Sequence, residues 1–548
     1  MDEQRVLRAC AEDAYQIIRA SDPDLPEVRV VPSSYGMKYK DASNPKKEWC
    51  YDEASCNQLV YLNAERVRYG STLEKLFEMK GHVRPGEQLE GQYPKTLTVG
   101  TVDIGAGTTD LMISSYTYIP AAGKIVPVPQ FYDSYFIAGD EILKGLIQHF
   151  VIEGEMGPSP FLGSIKSALT NRLQNMTDDQ LLALPCLHED KDSSHVYQKY
   201  VMEIIHIDDE EIRKEKLANF AVMLLRDFFN DDTNMQNSKD RRCRNDFNTQ
   251  VSVPIAQFFM ECLQTERPAK TYGFEDIFSD IIPARYVLDY FKTHFGFEFK
   301  EMRWRYDPIR VAKAVTAQIE TVMKQMSVIL FAYHCDIVLM AGRPCTLKPI
   351  TELFVKYYPV SPDRLIRLND YCVGNWYPFA NGQGHFYDQK SVVAVGAMVG
   401  FIAATKGFSG LVIDFSKMKE IIKSTANYIG IYDPLSQNIA EVKLDRTHSS
   451  ATFRISGEAG YLGCKQLNDA HYQARPLYAV YNLNTAKSTT LNITVSRDFQ
   501  EDKEKLILDD VSDDAGNTIS RRDVEFVQQS ITDDGSYWLD KGSFKLSN

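Results

Sequence analysis

Apolar residues fall near 3.6-residue spacing over positions 1–20, at Val6, Leu7, Cys10, Ala14, Ile17 and Ile18, which predicts a helix that the following SDPDLPE breaks. VRVVPSS at 28–34 reads as a short strand. DEASCNQLVYLNAERV reads as a second helix with Ala54, Leu59, Val60 and Leu62 among its apolar positions. The stretch LTVGTVDIGAGTTDLMISSY places two apolar, β-branched runs on either side of Gly105–Gly107 and predicts a hairpin. Strand-like patches continue through IVPVPQFYDSYFIAG. DEILKGLIQHFVI then turns helical, with Ile142, Leu143, Leu146, Ile147 and Phe150 on one face.

The segment from about 160 to 330 is mostly helical in pattern, and its polar run NDDTNMQNSKDRRCRND reads as a solvated loop. It closes in a long amphipathic helix near Pro308–Leu330, with Val311, Val315, Ile319, Val322, Met326 and Ile329 on one core-facing stripe. CDIVLMAGRPC reads as a buried strand ending at a glycine, and DQKSVVAVGAMVGFIAA as a helix rich in small residues. From about Ser409 the texture changes to short β-type runs such as YIGIYD, ATFRIS, LYAVYN and LNITVS between Asp, Asn, Gly and Ser turns, which predicts a separate β domain.

Bulk composition narrows the function classes. A chain of 548 residues, 44% hydrophobic and 25% charged, is an ordinary globular protein with room for two or more domains. Its net charge of −13 opposes non-specific attraction to nucleic acid or anionic lipid. No secretory signal and no membrane span is read from the sequence. Ten cysteines and ten histidines are scattered without CxxC or HExxH spacing, which predicts reduced thiols in a cytoplasmic protein and no metal ligated directly by side chains.

The motif that carries chemistry is DIGAGTTD. Gly105, Ala106 and Gly107 let backbone N–H groups approach an anion closely, and Thr108 and Thr109 add hydroxyl donors, so these five residues are candidate phosphate-binding positions. Asp103 and Asp110 flank the turn. Carboxylates beside phosphate act through a hydrated Mg²⁺ or on the attacking water. Glycine and aspartate are also ordinary turn residues, and a plain hairpin with acidic shoulders is the alternative reading.

Strand, DxGxGTxD turn and strand resemble the second phosphate motif of the actin, Hsp70 and sugar-kinase superfamily. Four further segments follow the superfamily's pattern. DEASCNQLVY resembles the Hsp70 Asn-Glu-Pro-Thr segment, which implies Glu53 as a catalytic carboxylate acting with Asp103 on the nucleophilic water. FIAGDEILKGLIQHF resembles the glycine-acid-acid opening of a helix, mapping onto Gly139, Asp140 and Glu141. IVLMAGRPCTLKPI resembles the adenosine motif, with Ala341, Gly342 and Arg343 as nucleotide-binding positions, and SVVAVGAMVG resembles the second connecting helix, where Ala394, Gly396 and Ala397 permit a close crossing.

The resemblance covers roughly residues 1–405 and implies an α/β, actin-like (ribonuclease H-like) ATPase fold followed by a β-rich C-terminal domain, with ATP and Mg²⁺ as ligands. The superfamily's first phosphate motif is not found, which implies a piece or shortened form of a longer protein whose missing N-terminal portion acts as a partner. Ala341 stands where a glycine is usual, Arg343-Pro344 where small polar residues are usual, and Lys390 where an acidic residue is usual. The whole resembles the C-terminal half of the bacterial SrfB-type virulence-factor family.

The expected organisation is residues 1–115 as the end of a first lobe, 116–340 as a second lobe with a helical insertion, 341–408 as adenosine and connecting segments, and 409–548 as the β domain. The expected function is an ATP-binding, slowly hydrolysing switch that binds ATP or ADP and protein partners. A non-hydrolysing scaffold of the same fold is the alternative, and a small-molecule kinase ranks third.

Overall fold

The computed structural model describes residues 2–28, 53–70, 72–86, 88–154, 162–189, 192–230, 238–279, 282–386, 388, 390–417, 425–483, 489–500, 503–529, 538–544 and 546. The strand predicted at 28–34 lies outside them from residue 29 on, as does Cys50. The first helix, Asp2–Ser21, forms as predicted. No helix among the described residues is long and apolar enough to cross a membrane.

Alternating and apolar runs give a six-stranded sheet in the order β7-β6-β1-β2-β3-β8. Its strands are β1 (Leu97–Ile104), β2 (Thr109–Ile119), β3 (Lys124–Tyr135), β6 (Ile337–Ala341), β7 (Leu365–Arg367) and β8 (Val412–Ile413). β1 and β2 form the predicted hairpin, since neighbours joined by only four residues can pair only antiparallel. β7 runs parallel to β6, and β8 parallel to β3. A small ribbon, β4 (Lys270–Gly273) with β5 (Arg303–Tyr306), lies within the helical stretch between β3 and β6.

The chain divides into two compact units. Unit 1 holds residues 1–101, 114–130 and 372–422, and unit 2 holds 102–113, 131–371 and 423–548. The expected boundary at 408/409 does not separate them, because residues 423–548 fall in unit 2 together with the DIGAGTTD turn.

In unit 1 the helix Glu53–Arg68 is buried along most of its length, polar residues included. Its polar residues find partners inside, Arg66 on Asn63 Oδ1 and Ser409 O, and Gln58 on three groups. The Gln58 Nε2 donates to Val99 O at 3.2 Å and Thr101 Oγ1 at 3.0 Å, and Tyr116 OH donates to Gln58 Oε1 at 2.6 Å. The helix Ser391–Ala404 crosses it at Gly396, where an added Cβ would stand 2.2 Å from Cys56 O. Of the three small residues expected at this crossing, Gly396 is buried, Ala397 is half-buried and Ala394 is exposed.

Also in unit 1, Lys124 Nζ meets Asp414 Oδ2 at 2.7 Å beside the β3–β8 pairing. The hydrogen bond from Lys124 holds the Asp414 carboxyl down to about 2. A depressed acid contributes stability that is fully present above its ordinary value near 4 and is lost as pH falls toward about 2. Asp414→Asn is therefore expected to melt below wild type at pH 6, with the gap closing toward pH 2.5. Parallel melting curves across that range would remove the role given to this pair.

Unit 2 has one large apolar core and one smaller one. The large core gathers Ile142 and Leu146 from the helix Gly139–Leu146, the predicted stripe of the helix Pro308–Ala332, and a cluster of aromatic rings including Phe228, Phe229, Phe247 and Phe291. All but the last residue of the helix Ser238–Phe247 lies in the run expected to be a solvated loop. Its Asp240, Cys243, Arg244 and Phe247 are buried, and Arg244 Nε donates to Lys541 O at 2.9 Å, so returning C-terminal residues supply the cover that local sequence does not announce.

The smaller core lies between two antiparallel sheets. One has the order β10-β9-β12-β13-β16, built from β9 (Tyr428–Asp433), β10 (Asn438–Leu444), β12 (Ala459–Lys465), β13 (Arg475–Asn482) and β16 (Val524–Gln528). The other is β11-β14-β15, built from β11 (Ser450–Ser456), β14 (Thr490–Gln500) and β15 (Lys503–Ser512). Ile429, Leu462 and Val480 of the first meet Phe453, Ile493 and Val495 of the second, which makes a sandwich.

Candidate functional site

Three segments far apart in sequence converge in unit 2. The first is the β1–β2 turn. Gly105 N–H donates to Thr108 O at 2.9 Å and closes it, leaving Ala106 and Gly107 exposed. The second is the start of the helix Gly139–Leu146, which has no side-chain cap. Its first N–H groups must find acceptors elsewhere. Gly139 N–H donates to Gly105 O at 3.0 Å and Asp140 N–H to Ala106 O at 2.8 Å.

The third segment follows β6. Gly342 sits at φ 88, ψ 154 with its Cα side against β1: a Cβ there would lie 2.0 Å from Ile104 O and 2.9 Å from Asp103 Oδ1. Gly139 is confined less severely, since a Cβ on it would meet Gly105 O at 3.0 Å and Pro344 Cγ at 3.3 Å. Turn, helix start and β6 end therefore touch through glycines. The C-terminal ends of β1 and β6 lie side by side, where the chain passes from a hairpin on one side of β1 to a long crossover on the other.

Asp103 is buried, 7% exposed, at the base of this convergence. Behind it lies Cys345, whose thiol donates to Ala341 O at 2.8 Å and is pushed up by burial first and by the Asp103 charge second. Ala341 is buried within β6, and Arg343 projects as an exposed cation one residue beyond Gly342. Asp140 and Glu141 are half-buried in the first turn of their helix, where negative charge suits the helix dipole.

The two threonines behave differently from the expectation. Thr108 Oγ1 donates to Asp110 Oδ2 at 3.2 Å, and the buried Thr109 donates its Oγ1 proton to Ile137 O at 2.6 Å. Both hydroxyl protons are thus engaged inside the protein, and the exposed backbone at Ala106 and Gly107 is what an anion can reach. Asp110 also accepts the Ser134 hydroxyl on its Oδ1, so this carboxylate braces the hairpin. Glu53 is exposed at the first position of its helix in unit 1, and the other candidates belong to unit 2.

Sequence reasoning missed a neighbouring group on β3. Asp133, 6% exposed, takes Arg475 Nη1 at 2.7 Å and Tyr472 OH at 2.6 Å. Burial raises the Asp133 carboxyl while the Arg475 charge opposes the rise. Its partners lie some 340 residues away, and no local pattern could have paired them.

Among the described residues, no cluster of three or more His, Cys, Asp or Glu is placed to hold a metal ion. A family model described as Virulence factor SrfB matches residues 1–178 and 194–545. A search of curated proteins finds no match.

Proposed function

This chain belongs to the SrfB virulence-factor family, and from the geometry at Asp103 we propose that it is an ATP-binding protein of actin-like fold, working as a slow Mg-ATP-dependent conformational switch. The observation that carries the reading is the convergence itself. Gly105–Thr109, marked from sequence as phosphate-binding, and Gly139–Asp140 and Ala341–Arg343, marked as nucleotide-binding, come together: Gly139 and Asp140 donate to the turn at 3.0 and 2.8 Å, and Gly342 leaves no room for a Cβ against Ile104 O. In open α/β sheets, ligands collect outside the carboxyl ends of strands where the strand order reverses. β1 is such a strand here, with β2 on one side and β6 on the other.

The residues suit a magnesium–nucleotide complex. Exposed backbone at Ala106 and Gly107 can donate N–H groups to phosphate, and Arg343 adds a cation at the rim. Asp103 and Asp110 stand at the two ends of the turn, where they would bind the waters of a hydrated cation. When bound, Mg²⁺ neutralises phosphate charge. ATP as ligand fits a cytoplasmic protein with protein partners.

A second reading, nucleotide binding without turnover, is favoured by one observation: the hydroxyls of Thr108 and Thr109 are committed to Asp110 and Ile137. Calorimetry with Mg-ATP on the whole chain tests both. Wild type is expected to bind, and Asp103→Ala to lose about 10- to 100-fold in affinity, the worth of hydrogen bonds to a charged group. Binding that is indifferent to Asp103→Ala, or absent in well-folded wild type, ends the nucleotide reading. Binding with no phosphate release selects the scaffold.

A further inference from the structure

One guanidinium from the C-terminal sandwich grips three consecutive residues of β3. Arg475, at the start of β13, places Nη1 2.7 Å from Asp133 Oδ1 and donates from Nη2 to Ser134 O at 2.5 Å. Its Cζ stands 5.3 Å from the centroid of the Tyr135 ring. Tyr472 OH adds a second hold on Asp133 at 2.6 Å, and Ser134 N–H donates back to Asp133 Oδ1 at 3.0 Å. A planar fork suits this work, since it can serve a carboxylate and a carbonyl at once while lying on an aromatic face.

Successive strand residues point to opposite faces. With Asp133 and Tyr135 held from the sandwich side, Ser134 turns the other way, and its hydroxyl donates to Asp110 Oδ1 on the neighbouring strand β2. Asp110 in turn accepts Thr108 Oγ1 on its other oxygen. A continuous polar chain thus runs from Arg475 through Ser134 and Asp110 into the candidate phosphate turn, and every link lies in unit 2.

We propose that Arg475 is a positioning residue for the turn, setting the orientation of Asp110 through Ser134 so that the C-terminal sandwich tunes the grip on a metal-bound phosphate ligand. The ligand half of this statement rests on the nucleotide reading above; the positional half does not. The sandwich acts as a tuning peg. A change in its packing at β13, from a partner or from substitution, reaches the turn without touching it.

The test uses the whole chain and three variants, Arg475→Lys, Ser134→Ala and the double variant. The first readout is hydrogen exchange of peptides spanning 103–112 without nucleotide, expected to quicken about tenfold in Arg475→Lys as local opening becomes easier. The second is ATP binding titrated against Mg²⁺. Each single variant is expected to need about tenfold more Mg²⁺ for half-saturation, with metal-free nucleotide affinity unchanged. The double variant is expected to be no worse than either, because groups in one chain of contacts do not add.

A merely structural Arg475 would lower both affinities alike and add to Ser134→Ala, and that pattern overturns the proposal. Exchange in 103–112 equal to wild type overturns it as well, whatever ATP does. If well-folded wild type binds no ATP, the nucleotide reading falls and the exchange readout alone decides the positional claim. Should Arg475→Lys fail to fold, Ser134→Ala, which removes one hydroxyl, carries the same two readouts.

Discussion

Gly342→Ala is expected to destabilise unit 2 by about 3 kcal/mol or more and to remove any nucleotide affinity with it. Two costs combine. A residue with a Cβ at φ 88, ψ 154 occupies backbone space open essentially to glycine alone, at about 1–3 kcal/mol. The new methyl would also stand 2.0 Å from Ile104 O, and that neighbour is backbone inside a sheet, which cannot swing aside. Overpacking of this kind adds about 1–3 kcal/mol. Gly107→Ala is the control: it has no positive φ, and its nearest atom, Asp140 Oδ2, is 4.0 Å away. Urea unfolding should therefore separate the two alanines. Equal midpoints would show that the β1 and β6 ends do not pack as described.

Gly396→Ala sets two effects of opposite sign against each other in unit 1. Alanine is the better helix former by about 1 kcal/mol. Its Cβ, however, would lie 2.2 Å from Cys56 O, 2.6 Å from Cys56 C and 2.7 Å from Cys56 Cα, all of them backbone. The helices Glu53–Arg68 and Ser391–Ala404 would have to part by an ångström or so. Loss of close packing along their length is expected to outweigh the propensity gain and to leave the variant about 2–4 kcal/mol less stable. Ala394→Leu, on the exposed side of the same helix, should melt near wild type. A Gly396→Ala protein as stable as wild type would sink the crossing.

Much of this was legible along the chain because the signals are local. The β1–β2 hairpin is written by two β-branched runs around three small residues, and the helix Pro308–Ala332 by a stripe repeating over six positions. The Gly396 crossing was anticipated, although Ala394 was drawn into it wrongly, since an apolar run hydrophobic all round gives no face to choose. The turn's glycines were legible. The fates of the Thr108 and Thr109 hydroxyls were not: the Thr109 acceptor, Ile137 O, lies 28 residues along the chain, and no apolar pattern shows that Thr108 turns onto Asp110 two residues on.

The misread helix Ser238–Phe247 fails for a related reason. Only one of its ten residues is a large hydrophobe, and its buried Asp240 and Arg244 look like surface residues until distant partners are in place, Lys541 O for Arg244 among them. Asp133, Tyr472 and Arg475 form one group in space and three unremarkable residues in sequence. The sandwich strands could be seen one by one, while their membership of unit 2 depends on contacts that no window of sequence contains.

The strand order carries a consequence for how the protein is made. β1 is finished at Ile104, yet the strand that covers its free edge, β6, begins only at Ile337. At about 5–20 residues per second, a ribosome leaves that edge bare for on the order of ten to fifty seconds. Phe229, whose carbonyl accepts the N–H of Phe544 at 2.8 Å, waits longer still. A nascent chain in that state offers an unpaired apolar strand to its neighbours. Slowed translation between these two strands, or a shortage of chaperones that shield such edges, should lower the soluble yield of the protein without altering the stability of the molecules that complete their fold.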